Sequence, residues 1–318
     1  MSSSKEEEEA ESDNRLLPLL VVVEQYERDG FVGPIHVLTR DEAQQAWHAY
    51  QAWVSTTFPD GNDNGKVVGN ARFKPHLYLP FCRDLAHHPT IVRTVQQLLQ
   101  TEHVLLWSSD FNVKLPNTAG YFAPHQDSTY AGLEPPAQVL TVWLALSETV
   151  TENEGCLSFW PGSHKLGQLP HDEESRSGAG GNNMLSRGQR LAESAQQQLL
   201  DTKPVSIALR GGQATVHNFY TVHASGPNRS LTTPRVGLAL RYMAATVRQT
   251  GAVRESVTLV SGCVPHDVGF DLEPILPSPH PTTSDIARGL RAHAQAMQRE
   301  AQNYFQSTTD NANNKAYL

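Results

Sequence analysis

The chain has 318 residues, 39% apolar and 18% charged, which is enough for a sizeable core and too little charge for a disordered chain. The formal charge of -8 is concentrated at the start, where residues 1–14 carry six acids and one lysine; the remainder is nearly neutral and offers no basic face for nucleic acid. Cys82, Cys156 and Cys263 stand far apart with no CxxC, so neither a disulfide framework nor a thiolate zinc site is indicated, and a reducing, cytoplasmic setting fits.

In chain order, residues 1–15 read as an acidic solvated tail. The apolar run at residues 16–23 is broken by Pro18 and falls well short of the ~20 residues of a membrane span, so it reads as a core-packing segment and no membrane partner is expected. A helix is predicted from Thr39 to about Phe58, with a threonine cap, acids in the first turn and an apolar stripe through Ala43, Ala46, Trp47, Tyr50 and Val54. FPDGNDNGK is a turn-rich break, and a second helix is predicted across residues 84–103, restarting after Pro89. From residue 104 the pattern changes to period two. WSSDFNVKL sets Ser108, Asp110, Asn112 and Lys114 on a polar face opposite Trp107, Ser109, Phe111, Val113 and Leu115. VLTVWLALS is nearly all apolar, as in a strand covered on both sides, and further strands are expected around CLSF, within residues 204–223 and at RVGLALRYM. Residues 167–203 form a polar insertion between strands, and residues 306–318 a polar C-terminal tail.

Early helices followed by many short strands predict one mainly β domain with flanking helices over residues 16–305, built on a barrel or sandwich of the jelly-roll type. No phosphate-binding glycine loop and no GxSxG elbow are found, so nucleotide binding and serine hydrolysis lose their usual signatures.

Two histidines are followed two places later by an acid, His125/Asp127 and His171/Glu173, and roughly 1.5 such pairs are expected by accident. Context separates them: His171 sits in a polar loop, whereas His125 and Asp127 follow a predicted strand among aromatic and small residues. On an extended chain their side chains point to one side about 6.6 Å apart. They supply two ligands of a 2-His-1-carboxylate triad, which leaves one side of an iron open. The third ligand is to come from His223, at a strand end before a turn, or from its competitor His217. The same donor set suits zinc, so a zinc cupin-type enzyme and a noncatalytic jelly-roll with a relic site are the alternative readings.

PHQDSTY, then VWLALSETVTENEGCLSFWPGSHKLG, then HASGPNRS with Arg235 following, together resemble the phytanoyl-CoA dioxygenase family of Fe(II)/2-oxoglutarate oxygenases over about residues 25–275. The resemblance implies a double-stranded β-helix (jelly-roll, cupin-like) core, with Fe(II) as cofactor, 2-oxoglutarate and O2 as cosubstrates, and release of succinate and CO2. It implies His125, Asp127 and His223 as metal ligands, choosing His223 over His217. It also implies Arg235 and Ser225 at the far carboxylate of 2-oxoglutarate, with Arg229 and Arg241 as rivals. Lys74 is the assisting lysine by family position, with Lys114 as the alternative. Tyr130 and Trp143 are expected to wall the pocket, joined by Asn112 from the polar strand face. A carboxylate at position 127 argues against halogenation, because related halogenases carry a small residue there. YERDGFV, WSSDFNVKLP, HQDSTYAGL and NNMLSRGQ are similar to the branch containing 2-aminoethylphosphonate hydroxylase, from which Ala131 departs where an aromatic residue is expected. The expected partner is a small polar molecule or secondary metabolite as substrate.

Overall fold

The computed structural model describes residues 19–58, 69–173, 182–185, 189–264 and 268–315. The acidic tail expected at residues 1–15 lies outside them. Helix α1 (Leu19–Asp29) leads into strand β1 (Phe31–His36), and α2 (Arg40–Thr57) follows. α2 opens on a reciprocal cap: the Thr39 hydroxyl accepts from the Glu42 amide, and the Glu42 carboxylate accepts from the Thr39 amide at 2.8 Å. The segment read as one interrupted helix is two, α3 (Pro80–Ala86) and α4 (Pro89–Leu99). Pro89 brings no amide to the ladder of the preceding helix and is pre-set for a first turn, so the chain stops and starts again there.

The strands that follow are β2 (Val104–Lys114), β3 (Phe122–His125), β4 (Val139–Ala145), β5 (Leu157–Phe159), β6 (Val205–Ile207), β7 (Gln213–Asn218), β8 (His223–Ser225), β9 (Arg235–Ala244), β10 (Ser256–Ser261) and β11 (Asp271–Leu272), with α5 (Thr283–Lys315) last. They form a large sheet in the order β1-β7-β4-β9-β2-β10-β11 and a smaller one in the order β6-β5-β8-β3. All neighbours are antiparallel except β10 and β11. This is the double-stranded β-helix that the resemblance implied.

Strict alternation divides the large sheet. Leu140, Val142 and Leu144 of β4, Val236, Leu238, Leu240 and Tyr242 of β9, and Ala214 and Val216 of β7 pack with Tyr26, Tyr50, Ile91 and Val95 of the helices in the main core. The intervening positions, Thr141, Trp143, Thr215, His217, Arg235 and Arg241, are equally buried and belong to the other face, turned toward the smaller sheet. β4, buried at every position, thus carries a core face and a functional face under one apolar-looking sequence.

The described part of the 167–203 insertion is more ordered than its polar composition suggests. His171–Glu173 pairs antiparallel with Gln189–Leu191, a short helix spans Glu193–Gln197, and Leu169, Leu191, Ala195 and Leu199 pack on Val222 and Trp160. These apolar side chains, spread thinly in the sequence, share one small satellite core. The expected C-terminal tail also needs correction, because α5 continues through residues 306–315. Once a helix is nucleated, each added residue gains a hydrogen bond, so polar residues extend it where composition alone suggests a tail. Among the described residues no helix is long and apolar enough to cross a membrane.

Candidate active site

His125 ends β3 and His223 begins β8, and the two are direct cross-strand partners, so their rings meet with centroids 4.2 Å apart. Asp127 joins them. Its Oδ1 lies 3.7 Å from His125 Nε2 and 3.9 Å from His223 Nε2, and the three ligand atoms lie within 4.8 Å of one another. The carboxylate is not brought in by an extended chain as expected: Asp127 has helical dihedrals, φ -62 and ψ -29, and starts a one-turn helix at Ser128–Ala131. Gln126 points away, as expected; its amide donates to the carbonyls of Gly167 and Tyr220 at 2.8 and 2.6 Å.

Each imidazole is oriented through its other nitrogen. His125 Nδ1 lies 2.8 Å from the Ala123 carbonyl and His223 Nδ1 lies 3.0 Å from that of Thr221, which places the proton on Nδ1 and the lone pair on Nε2 toward the shared centre. Burial and the neighbouring histidine push His125 down to about 3, and the same causes push His223 down to about 4, so both rings are neutral at neutral pH. Burial alone would raise Asp127. The Arg241 guanidinium, and the histidines at 217 and 223, outweigh it and hold the carboxyl well below its ordinary value. A neutral His pair and an ionised carboxylate are the protonation states that metal binding requires.

The two oxygens of Asp127 have different surroundings. Oδ1 faces both ligand histidines, while Oδ2 accepts from Thr141 Oγ1 at 2.7 Å and lies 3.6 Å from both Arg241 Nε and His217 Nε2. His217, the competitor for the third position, therefore stands behind the carboxylate and against the ring of His223, outside the three-group cluster.

The cavity in front of the cluster lies between the sheets. Trp107, Ser108, Asp110, Asn112, Thr141, Trp143, Ala239 and Arg241 line it from the large sheet, and Phe122, His125, Leu157 and His223 from the small one. Trp143 Nε1 donates to Asn112 Oδ1 at 3.1 Å, and the Asn112 amide in turn donates to Asp110, so both residues expected in the pocket wall stand there. Tyr130, expected beside them, lies outside the residues whose side chains are described.

Behind Trp143 the inner end of the site contains Arg235, fully buried, its guanidinium carbon 4.5 Å from the Trp143 ring and 6.0 Å from that of Phe122. None of its guanidinium nitrogens has a hydrogen-bond partner among the described residues. Burial pushes it down to about 9. Lys114 is its cross-strand partner, and Lys114 Nζ donates to Ser225 Oγ at 2.6 Å, to the Ser225 carbonyl at 3.2 Å and to the Gly226 carbonyl. The structure therefore brings Arg235, Ser225 and Lys114 together.

Lys74 is elsewhere on the cavity wall, its Nζ donating to Glu273 Oε1 at 2.6 Å and to the Ser256 carbonyl at 2.7 Å. Arg229 is exposed, and Arg241 is engaged by Asp110 at 3.0 Å. Several partners carried no sequence signal: Glu273 lies 199 residues from Lys74, and Thr141 sits inside an apolar strand. His171, expected on a plain surface, is half-buried, and its Nε2 accepts from the Gln126 amide at 3.1 Å.

A jelly-roll with two histidines and a carboxylate at one end of a closed cavity, and an unpartnered guanidinium at the other, defines a non-haem iron, 2-oxoglutarate-dependent class of enzyme. Residues 26–237 match the phytanoyl-CoA dioxygenase (PhyH) family, and the chain belongs to that family. Phytanoyl-CoA dioxygenase domain-containing protein 1 of Mus musculus is 34% identical over 157 residues, 49% of this chain and 50% of the relative, so the chain spans about half of that relative's length. The non-heme monooxygenase ThoJ in its apo form is similar over 91% of this chain and 99% of its own, with 29% identity and a TM-score of 0.71. The epimerase SnoN, solved with Fe3+, alpha ketoglutarate and nogalamycin RO, shares 26% identity over 73% of this chain and 85% of its own, with a TM-score of 0.56.

Fe(II) and 2-oxoglutarate are accordingly the cofactor and cosubstrate, and the residues present fit both. Two neutral imidazoles and one carboxylate suit Fe(II) and leave positions open on one side. A buried guanidinium without a partner suits a carboxylate, whose two oxygens match its planar fork.

Proposed function

We propose that the chain is an Fe(II)- and 2-oxoglutarate-dependent dioxygenase that hydroxylates a small polar molecule or secondary metabolite, with succinate and CO2 as coproducts. The observation that carries this reading is the pairing of a compact His125–Asp127–His223 cluster with the unpartnered Arg235 across one cavity. Bound Fe(II) and 2-oxoglutarate would supply the oxidising power for O2 chemistry.

What the chain supplies is orientation and shielding. Ala123 and Thr221 carbonyls hold the imidazole tautomers, and Thr141, Arg241 and His217 hold the far oxygen of Asp127, so Oδ1 is presented to the metal. Arg235 and Ser225 are the proposed grip on the distal carboxylate of the cosubstrate. Lys74 faces the cavity with its charge already balanced by Glu273, which suits a hydrogen-bonding role toward the bound cosubstrate or substrate. Asn112, Trp143 and Tyr130 are the proposed substrate walls, joined by Met184 and Leu185 from the insertion and Ala296 from α5. These last three are apolar, so the outer side shelters a substrate from bulk water. The neighbour SnoN, solved with a small-molecule ligand, supports a small-molecule substrate here. Cys82, Cys156 and Cys263 are free thiols, which supports a cytoplasmic setting.

The test is succinate formation from 2-oxoglutarate with Fe(II), using His223→Ala as control. Wild type is expected to turn over slowly without substrate. The variant is expected to fall more than ~100-fold, since losing a ligand exceeds the ~10–100-fold cost of losing a group that orients one. A silent wild type that binds zinc would refute the reading. Mass spectrometry of metabolite pools for a gain of one oxygen identifies the substrate.

A further inference from the structure

Lys114 has no part in the function proposed above, yet it is 1% exposed and sits beside another buried cation. Its register partner is Arg235, and both side chains face the Phe122 ring, Lys114 Nζ at 5.2 Å from the centroid and Arg235 Cζ at 6.0 Å. Neither forms an ion pair with a described residue, and the titratable group that acts on both is the Cys156 thiol. Two adjacent cations in an apolar wall without a counter-charge are costly, and a ligand carboxylate is the group that removes the cost.

We infer that Lys114 is a positioning residue for cosubstrate selection: it turns the Ser225 hydroxyl into a donor for the distal carboxylate and makes the site demand a dicarboxylate 2-oxo acid. The chemistry follows from donor counting. An ammonium has three N–H groups and no acceptor. Around Lys114 Nζ are three oxygens: the carbonyls of Ser225 and Gly226 and the Ser225 hydroxyl. With all three accepting, the O–H of Ser225 is released from Lys114 and is free to donate toward the subsite shared with Arg235. Burial and Arg235 push Lys114 down to about 5 in the ligand-free protein, and a bound anion works in the opposite direction, favouring the ammonium that this arrangement needs. The resulting subsite has a guanidinium fork, one hydroxyl donor and a second positive charge behind it. A 2-oxo acid ending in a methyl group would leave all three unanswered.

The test compares 2-oxoglutarate with 2-oxopentanoate, which carries a methyl group where the cosubstrate has its distal carboxylate. Anaerobic Fe(II)-loaded protein is titrated with each, following the visible absorption of the iron chelate and the indole fluorescence. In Lys114→Met, 2-oxoglutarate affinity is expected to fall ~30-fold or more, the low end for breaking one partner of a buried charged contact, with 2-oxopentanoate changed less than ~3-fold. Equal weakening of both acids would mean that Lys114 only braces β8, and would overturn the inference. Lys114→Arg keeps the charge and is expected to retain more of the selectivity than Lys114→Met; the same loss in both would also overturn it. Should Lys114→Met not fold, Ser225→Ala provides the decision: a ~10-fold loss for 2-oxoglutarate alone supports the hydroxyl as donor, and no selective loss refutes it.

Discussion

The outer and inner parts of the cavity both hold buried cations, under opposite arrangements. Around the metal and outward, every described cation that is deeply buried has an acid: Lys74 has Glu273 at 2.6 Å, and Arg241 has Asp110 at 3.0 Å. At the inner end Arg235 and Lys114 have none among the described residues. A paired cation is part of the framework, because its charge is satisfied before any ligand arrives. An unpaired one stores the cost of burial until an anion relieves it, and so marks where the anion goes.

The sharpest break of this contrast is Glu273→Gln, which leaves the Lys74 ammonium buried without its counter-charge. Unfolding stability is expected to drop by ~3–5 kcal/mol in a denaturant titration. The same group has a pH signature. Burial raises the Glu273 carboxyl, but Lys74 and His76 outweigh that and hold it far below its ordinary value. Its stabilisation is therefore complete above the unfolded value of about 4.5 and is lost as pH falls from there toward the folded value. An acid-unfolding curve should show this loss in wild type and not in Glu273→Gln.

Arg235→Met probes the other end and should do the reverse. Its melting temperature is expected not to fall, because an apolar side chain replaces a charge that had no partner. Half-saturation by 2-oxoglutarate is expected to rise by a factor corresponding to ~2–5 kcal/mol. A variant that unfolds while keeping its cosubstrate affinity would erase the distinction between the two ends. The smallest effect is expected from Thr141→Val, which removes the hydroxyl that donates to Asp127 Oδ2 and leaves Arg241 and His217 in place. Iron affinity, measured by competition with a chelator, should weaken ~10-fold and at most ~100-fold.

Much of the molecule was legible in the chain. The Thr39 cap, the restart at Pro89, the period-two strands and the His125–Asp127 pair all rest on local chemistry, which acts within a few residues. The resemblance then separated His223 from His217, which spacing alone left open. Other features were not legible, for stated reasons. The entirely apolar sequence of β4 hides that Thr141 and Trp143 face the cavity while Val142 and Leu144 face the core. The insertion reads as polar because its four core leucines and alanines are scattered, and they become a cluster only when the hairpin folds against Val222.

Sequence by itself therefore determined the element types, the family and the identity of the metal-binding side chains, because each depends on patterns of a few residues or on motifs kept in order. Only the tertiary structure decided which charges are balanced. Glu273 meets Lys74 and Lys114 meets Ser225 across separations of 199 and 111 residues, and no local rule reaches that far. Strand register brings Lys114 and Arg235 onto one face at one level, and burial then makes the missing counter-charge count.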